Sequence, residues 1–219
     1  DIPKDLLLAE VDYKTSFPTG HVSPNPPPDF LISIAEIISL INESRNPILI
    51  VGGGAIAANA SASIVSFVER FNLPVVSTLM GLGSVPASHP NFVGFAGMHG
   101  NKVANNAVAN ADLVIALGSR FADRQTGNVS KYTNSKIFVH IDIDPAEIDK
   151  IIPGSLGVAG DLDTILKLLL KYVPVGSHEE WWKTIRSWQD RFDYDYQVDR
   201  LTVPWAMKQI VSKTRLAVD

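Results

Sequence analysis

Pro47-Ile48-Leu49-Ile50-Val51-Gly52-Gly53-Gly54 is the stretch on which the fold turns. Four consecutive branched apolar residues follow a proline and stop at glycine, a run too short for an ordinary helix. It lacks the apolar–polar alternation of a strand with one wet face. It therefore reads as a strand buried on both sides, the kind found in parallel sheets. Glycine then permits a tight turn or a close backbone approach at the strand's end.

The same alternation of short apolar runs and helices extends on both sides. Upstream, Leu31, Ile34, Ile37, Ile38 and Ile41 recur at helical spacing from Phe30 to Ser44, with Asp29 placed as N-cap. Downstream, Ala58 to Phe71 predicts a helix, and Leu73 to Ser77 a second buried strand. The Gly- and Pro-rich span Gly81 to Gly100 is irregular or holds one brief strand near Phe92-Val93. Lys102 to Ala109 predicts a helix, and Asp112 to Leu117 and Lys136 to Ile141 predict strands. A helical turn follows at Ala146 to Lys150, then a short strand at Leu156 to Ala159 and a helix from Asp161 to Tyr172. Strands that alternate with helices require cover on both sheet faces. The expected fold is therefore α/β, a doubly wound parallel sheet of about six strands flanked by helices.

Outside this region the composition changes. Prolines at 18, 24, 26, 27 and 28 make an extended linker of residues 1–28. All four tryptophans lie beyond residue 180, where amphipathic helices are expected within 178–199 and from Pro204 to Thr214. These aromatics are expected to pack on a partner surface such as a missing domain. The three expected segments are thus 1–28, a globular unit 29–173 and a helical tail 174–219. The chain opens at Asp1 without an initiator Met, as expected of a processed protein or a piece of a longer one.

Of 219 residues, 46% are hydrophobic and 19% charged, which suits a sizeable core and excludes wholesale disorder. The net charge is -4, with 5 basic and 8 acidic residues in 1–109 and 14 and 15 in 110–219. No basic stripe exists to track a nucleic acid, and no apolar run approaches a membrane span. With no cysteine, thiol catalysis, disulfides and Cys-ligated metal sites are excluded. G-x-S-x-G, G-K-[ST] and H-E-x-x-H are all absent, and the five histidines are scattered.

In an open parallel sheet, ligands bind beyond the C-terminal ends of the strands. Gly52-Gly53-Gly54-Ala55-Ile56-Ala57 matches G-x-G-x-x-A, either a phosphate cradle or a tight structural turn. A nicotinamide dinucleotide site would also need an acid ending the second strand, and Ser77-Thr78 stands there instead. Gly118-Ser119-Arg120-Phe121-Ala122-Asp123-Arg124 offers two guanidinium groups that could hold a pyrophosphate, or could pair with Asp123 in solvent. Asp142 reads as an acceptor for ribose hydroxyls and Asp144 as a helix cap ahead of Pro145. Asp161, after Gly160, is a cap or an adenine-side contact. His99, in Gly97-Met98-His99-Gly100, is a ligand donor or a structural histidine. Together these strand ends suggest a cradle for an extended nucleotide.

Four motifs then carry a resemblance: Ser77-Thr78-Leu79-Met80-Gly81-Leu82-Gly83, Gly97-Met98-His99-Gly100, Gly118 through Gly127, and His140-Ile141-Asp142-Ile143-Asp144-Pro145-Ala146-Glu147-Ile148. In that order they resemble the central domain of the acetolactate synthase (acetohydroxyacid synthase) catalytic subunit, a thiamine-diphosphate enzyme family. The likeness runs from Asp1 to about residue 172. It implies a Rossmann-like (DHS-like) nucleotide-binding fold holding FAD in an extended pose without obligatory redox turnover. The cofactor residues it implies are Gly52, Gly53, Gly54, Thr78, Leu79, Gly97, Met98, His99, Gly118, Ser119, Arg120, Arg124, Asp142, Ile143, Gly160 and Asp161. Thiamine diphosphate and magnesium would bind outside this chain, whose sequence lacks the family's G-D-G…N signature, and no catalytic residue is assigned here. The linker would leave a pyrimidine-binding domain, and the tail would lead into a pyrophosphate-binding domain.

The implied whole enzyme is cytoplasmic, a homodimer or homotetramer with a possible regulatory subunit. It decarboxylates pyruvate and joins the two-carbon unit to pyruvate or 2-ketobutyrate, a step of branched-chain amino acid synthesis. The family pattern is usually G-A-R-F-D-D-R-V, whereas this chain has Ser119, Ala122 and Gln125 at the first alanine, the first aspartate and the valine. Losing a carboxylate beside the flavin bears on FAD affinity. Two alternatives stay open at this point: a domain like that of electron-transfer flavoprotein alpha, and an architectural domain with a vestigial or ADP-binding site.

Overall fold

The structure is a computed structural model that describes residues 30–175, 177–192 and 202–214. The proline linker 1–28 and the Asp29 cap lie outside the described residues. Helix α1 spans Phe30–Glu43 and leads into β1, Pro47–Val51. Asp112 secures that connection: its carboxylate accepts from the Arg45 and Asn46 amides at 2.8 and 3.0 Å and from the Ser44 hydroxyl.

After β1 come α2 (Gly53–Ala57), α3 (Ser61–Phe71), β2 (Val75–Ser77) and β3 (Phe92–Phe95). Then follow α4 (Lys102–Asn110), β4 (Leu113–Leu117), α5 (Asp123–Thr126), α6 (Val129–Thr133), β5 (Ile137–Asp142), β6 (Leu156–Ala159) and α7 (Leu162–Leu169). The helix expected from Ala58 begins only at Ser61, and the short α2 precedes it within the glycine turn. Asn59 takes a left-handed conformation, φ +52°, and separates α2 from α3. The helical turn expected at Ala146 is a short 3₁₀ turn, Pro145–Glu147.

All six strands pair in parallel in the order β3-β2-β1-β4-β5-β6. The strand direction of growth reverses between β1 and β4, where the chain leaves one half of the sheet and begins the other. Every residue of β1 and of β4 is buried, which explains their unbroken apolar sequences. Successive side chains alternate between faces. Leu49, Val51, Ile115, Leu117 and Ile141 face α1, α3 and α7, while Ile48, Ile50, Val114, Ala116 and Phe138 face the side covered by α4.

Helices α8 (Glu179–Arg191) and α9 (Val203–Thr214) occupy the tail. The tryptophans of α8 need no further domain: Trp181, Trp182 and Ile185 join the α4-side core. Trp181 Nε1 donates to the Pro47 carbonyl at 3.0 Å, and Trp182 Nε1 to the Asn72 carbonyl at 2.8 Å. None of the described helices is long and apolar enough to cross a membrane.

Candidate functional site

The loops after β1 and β4 meet backbone to backbone at the reversal point. Gly52 N donates to Leu117 O at 2.9 Å and Gly54 N to Gly118 O at 3.0 Å. A Cβ on Gly52 would sit 2.1 Å from the Gly118 carbonyl oxygen, and one on Gly118, where φ is +57°, would sit 2.7 Å from the Gly54 Cα. These glycines are thus required by the close packing of two loops as well as by the wall they form.

On one side, the Thr78 hydroxyl accepts from the Gly81 amide and caps a short 3₁₀ turn, Leu79–Gly81. The turn leaves Leu79 and Met80 exposed on the rim. Beyond β3, Gly97 is held at both ends by one side chain: Asn105 Oδ1 accepts from its amide and Asn105 Nδ2 donates to its carbonyl, both at 2.9 Å. Met98 N then donates to the Arg124 carbonyl at 2.8 Å, tying this loop to α5.

On the other side, the loop bearing Arg120 and Arg124 is anchored by Phe121. That residue is buried at a positive φ of +51° and packs edge-on against His140 at 5.0 Å and Phe138 at 5.9 Å. Arg120 forms no ion pair among the described residues. Arg124 approaches Asp123 at 3.9 Å, but both side chains are mostly exposed, so the pair is weak. At the end of β5, Asp142 is nearly buried and its Oδ1 accepts from the Asp144 amide at 3.0 Å. Asp144 caps the next 3₁₀ turn through the Ala146 amide at 2.9 Å. His140 lies beneath, with Nε2 unpartnered and 3.9 Å from Asp142 Oδ2. Burial pushes its pKa below the ordinary value, partly opposed by the Asp142 charge and a hydrogen bond with the Ser119 backbone.

These loops enclose a cleft of about 980 Å³ across the C-terminal ends of β1 to β5. Thirteen of the sixteen residues expected there line it, namely Gly52, Gly53, Gly54, Thr78, Leu79, Gly97, Met98, His99, Gly118, Ser119, Arg120, Arg124 and Asp142. Ile143, Gly160 and Asp161 stand outside. Ile143 is exposed beyond the wall, and Asp161 caps α7 through the Thr164 amide at 2.8 Å. The physical reason is position, because Gly160 and Asp161 follow β6, one strand further from the reversal point than β5. The cleft also includes Met80, Phe95, Ala96, Gln125 and Glu147, which strand-end reasoning did not select. Met80, Gln125 and Glu147 lie within the four motifs. Phe95 and Ala96 were hidden because their strand is interrupted by Gly94 and so weakly patterned.

The model of the thiamine pyrophosphate enzyme central domain matches residues 34–169. The chain belongs to this thiamine pyrophosphate enzyme family. The matched span runs from α1 to the end of α7, so it contains the whole parallel sheet of this central domain. Among its relatives is the acetolactate synthase large subunit of Corynebacterium glutamicum, 38% identical over 224 residues, 97% of this chain and 35% of that one. The Buchnera aphidicola large subunit is 36% identical over 86% of this chain and 34% of its own. The isozyme 3 large subunit of Escherichia coli is 34% identical over 92% and 37%. The chain therefore spans about a third of the length of these relatives.

Proposed function

We propose that this chain is the FAD-holding central domain of an acetolactate synthase large subunit and is non-catalytic by itself. The observation that carries the reading is the cleft's donor set laid along five adjacent strand ends. Adjacent strands stand about 4.8 Å apart, so β3 to β5 spans roughly 19 Å, a length suited to an extended dinucleotide rather than a small metabolite. The glycine backbones of the β1 and β4 loops allow close approach at its middle. Arg120, which pairs with no carboxylate among the described residues, and Arg124 supply bidentate donors for a pyrophosphate. Asp142 supplies a carboxylate for ribose hydroxyls, oriented by its bond from the Asp144 amide. The apolar rim of Leu79, Met80 and Met98 suits a flat aromatic ring.

FAD fits these residues, and bound there it would supply a flavin whose placement depends on Arg120 and the glycine walls. Thiamine diphosphate and magnesium, bound by segments outside this chain, would supply the keto-acid chemistry of the whole protein. That protein would condense pyruvate with a second 2-keto acid, as a homo-oligomer with a regulatory partner. The likeness to acetolactate synthase large subunits supports this assignment, and the absence of a carboxylate at Ala122 makes ADP the competing ligand.

Equilibrating the chain with FAD or ADP, removing free ligand and recording flavin absorbance and binding heat tests the reading. Saturable FAD binding that falls at least about tenfold in Arg120→Ala is expected, the scale of one charge-assisted phosphate contact. Retention of ADP alone would assign the cleft to adenine nucleotides instead, and binding of neither would leave the domain architectural.

A further inference from the structure

The loop after β3 meets α5 twice through the same two residues. The Met98 amide donates to the Arg124 carbonyl at 2.8 Å, and Arg124 Nη1 donates back to Met98 Sδ at 3.7 Å. The backbones run in contact here, since a Cβ on Gly97 would sit 3.0 Å from the Arg124 carbonyl oxygen. The main chains thus fix the two residues as neighbours, and the side-chain contact sets how firmly the guanidinium is held. A thioether is a weak acceptor, so the grip is loose and Arg124 stays available to a diphosphate in the cleft that both residues line.

That grip depends on the oxidation state of one sulfur. The chain has no cysteine and three methionines, and Met98 is 58% exposed at the cleft. Hydrogen peroxide transfers one oxygen to a thioether: the sulfur gives up two electrons, the O–O bond breaks, and the second oxygen leaves as water. The sulfoxide oxygen carries partial negative charge, and a cationic N–H binds it far more strongly than it binds the sulfur. We propose that Met98 is a reversible oxidation site for peroxide, whose sulfoxide captures the Arg124 guanidinium and withdraws it from a diphosphate in the cleft. Asp123, 3.9 Å from Arg124 Nε and mostly exposed, competes weakly for the same group. Met80 and Met207 are exposed as well, so consequence rather than reactivity distinguishes Met98. The effect on ligand affinity rests on the nucleotide-binding reading above, whereas the capture of Arg124 does not.

Met80→Leu with Met207→Leu leaves Met98 as the sole methionine, and this protein is compared with itself before and after hydrogen peroxide. Peptide mass spectrometry should place one added oxygen on Met98. In the ligand-free protein the Arg124 Nε–H resonance, assigned as the one lost in Arg124→Lys, should move. Affinity for ADP and for FAD should fall about three- to tenfold, the scale of one hydrogen bond, and a methionine sulfoxide reductase should reverse both changes. Adding Arg124→Ala should abolish the peroxide effect, because the captured group is gone, and adding Met98→Leu should abolish it because no thioether remains. Met98 left unoxidised overturns the site, and an Arg124 resonance unmoved by the sulfoxide overturns the capture. Unchanged or raised affinity after oxidation, or an equal loss in the Arg124→Ala protein, overturns the withdrawal of Arg124 from the ligand. Failure of the untreated chain to bind either nucleotide overturns the nucleotide reading and the affinity effect together, while the Arg124 resonance decides the capture separately.

Discussion

At the scale of single residues, the cleft depends on where a side chain must be absent and where a charge must be. Gly118 combines a left-handed backbone with contact against the Gly54 Cα. Gly118→Ala should therefore lower stability by about 1–3 kcal/mol, read from urea unfolding, because strain and overpacking act together. His140 adds a pH dependence. Its folded-state pKa lies below the ordinary value, so the unfolded chain binds the extra proton first as pH falls. The stability it contributes is present above about pH 6.5 and is lost as pH falls through the folded value. His178, likewise lowered by burial, acts in the same direction. Unfolding free energy should decline from pH 7.5 to 5.5, and His140→Gln should flatten part of that decline. An undiminished slope in that variant would assign the effect elsewhere. The motif residues around these positions could be recognised in the sequence, but the Ser119–Gln125 contact could not. Its partners are six residues apart, Ser119 in the loop after β4 and Gln125 on α5, and only the folded turn brings their side chains together.

At the scale of elements, most strands were legible because burial on both faces leaves an unbroken apolar signature, as in β1 and β4. Two elements were less so. β3 contains Gly94 at a positive φ beside the Asn101 side chain, and its short, glycine-interrupted sequence carries little periodic signal. Helix α8 was recognisable as amphipathic, yet its docking place was not, since an apolar stripe states that a face is buried and leaves open against what. The Trp181 and Trp182 indole N–H groups end on the Pro47 and Asn72 carbonyls, at the entrance to β1 and the C-cap of α3. Trp181→Ala should cost about 3–5 kcal/mol in chemical denaturation through lost volume, and Trp181→Phe about 1–2 kcal/mol through the stranded Pro47 carbonyl. Equal, negligible effects of both changes would mean that α8 is not part of this core.

At the scale of the molecule, the parallel sheet brings loops from sequence positions about 90 residues apart into one cleft, and it does so at the point where strand order reverses. With pyruvate, thiamine diphosphate and magnesium, the chain should form no acetohydroxy acid, because the cleft is proposed to hold a nucleotide and the sequence lacks the thiamine-binding signature. Product measured above an enzyme-free control would overturn the assignment of this domain to cofactor holding. The sequence by itself determined the fold class, through apolar runs ended by glycine, and the family, through four ordered motifs whose residues sit at strand ends. Only the tertiary structure decided that β6's loop, with Gly160 and Asp161, falls outside the cleft and that α8 closes the sheet's second face. Strand identity is written in local periodicity, which a linear chain carries in full. Neighbour relations among distant loops depend on strand order and packing, which exist only once the sheet has formed.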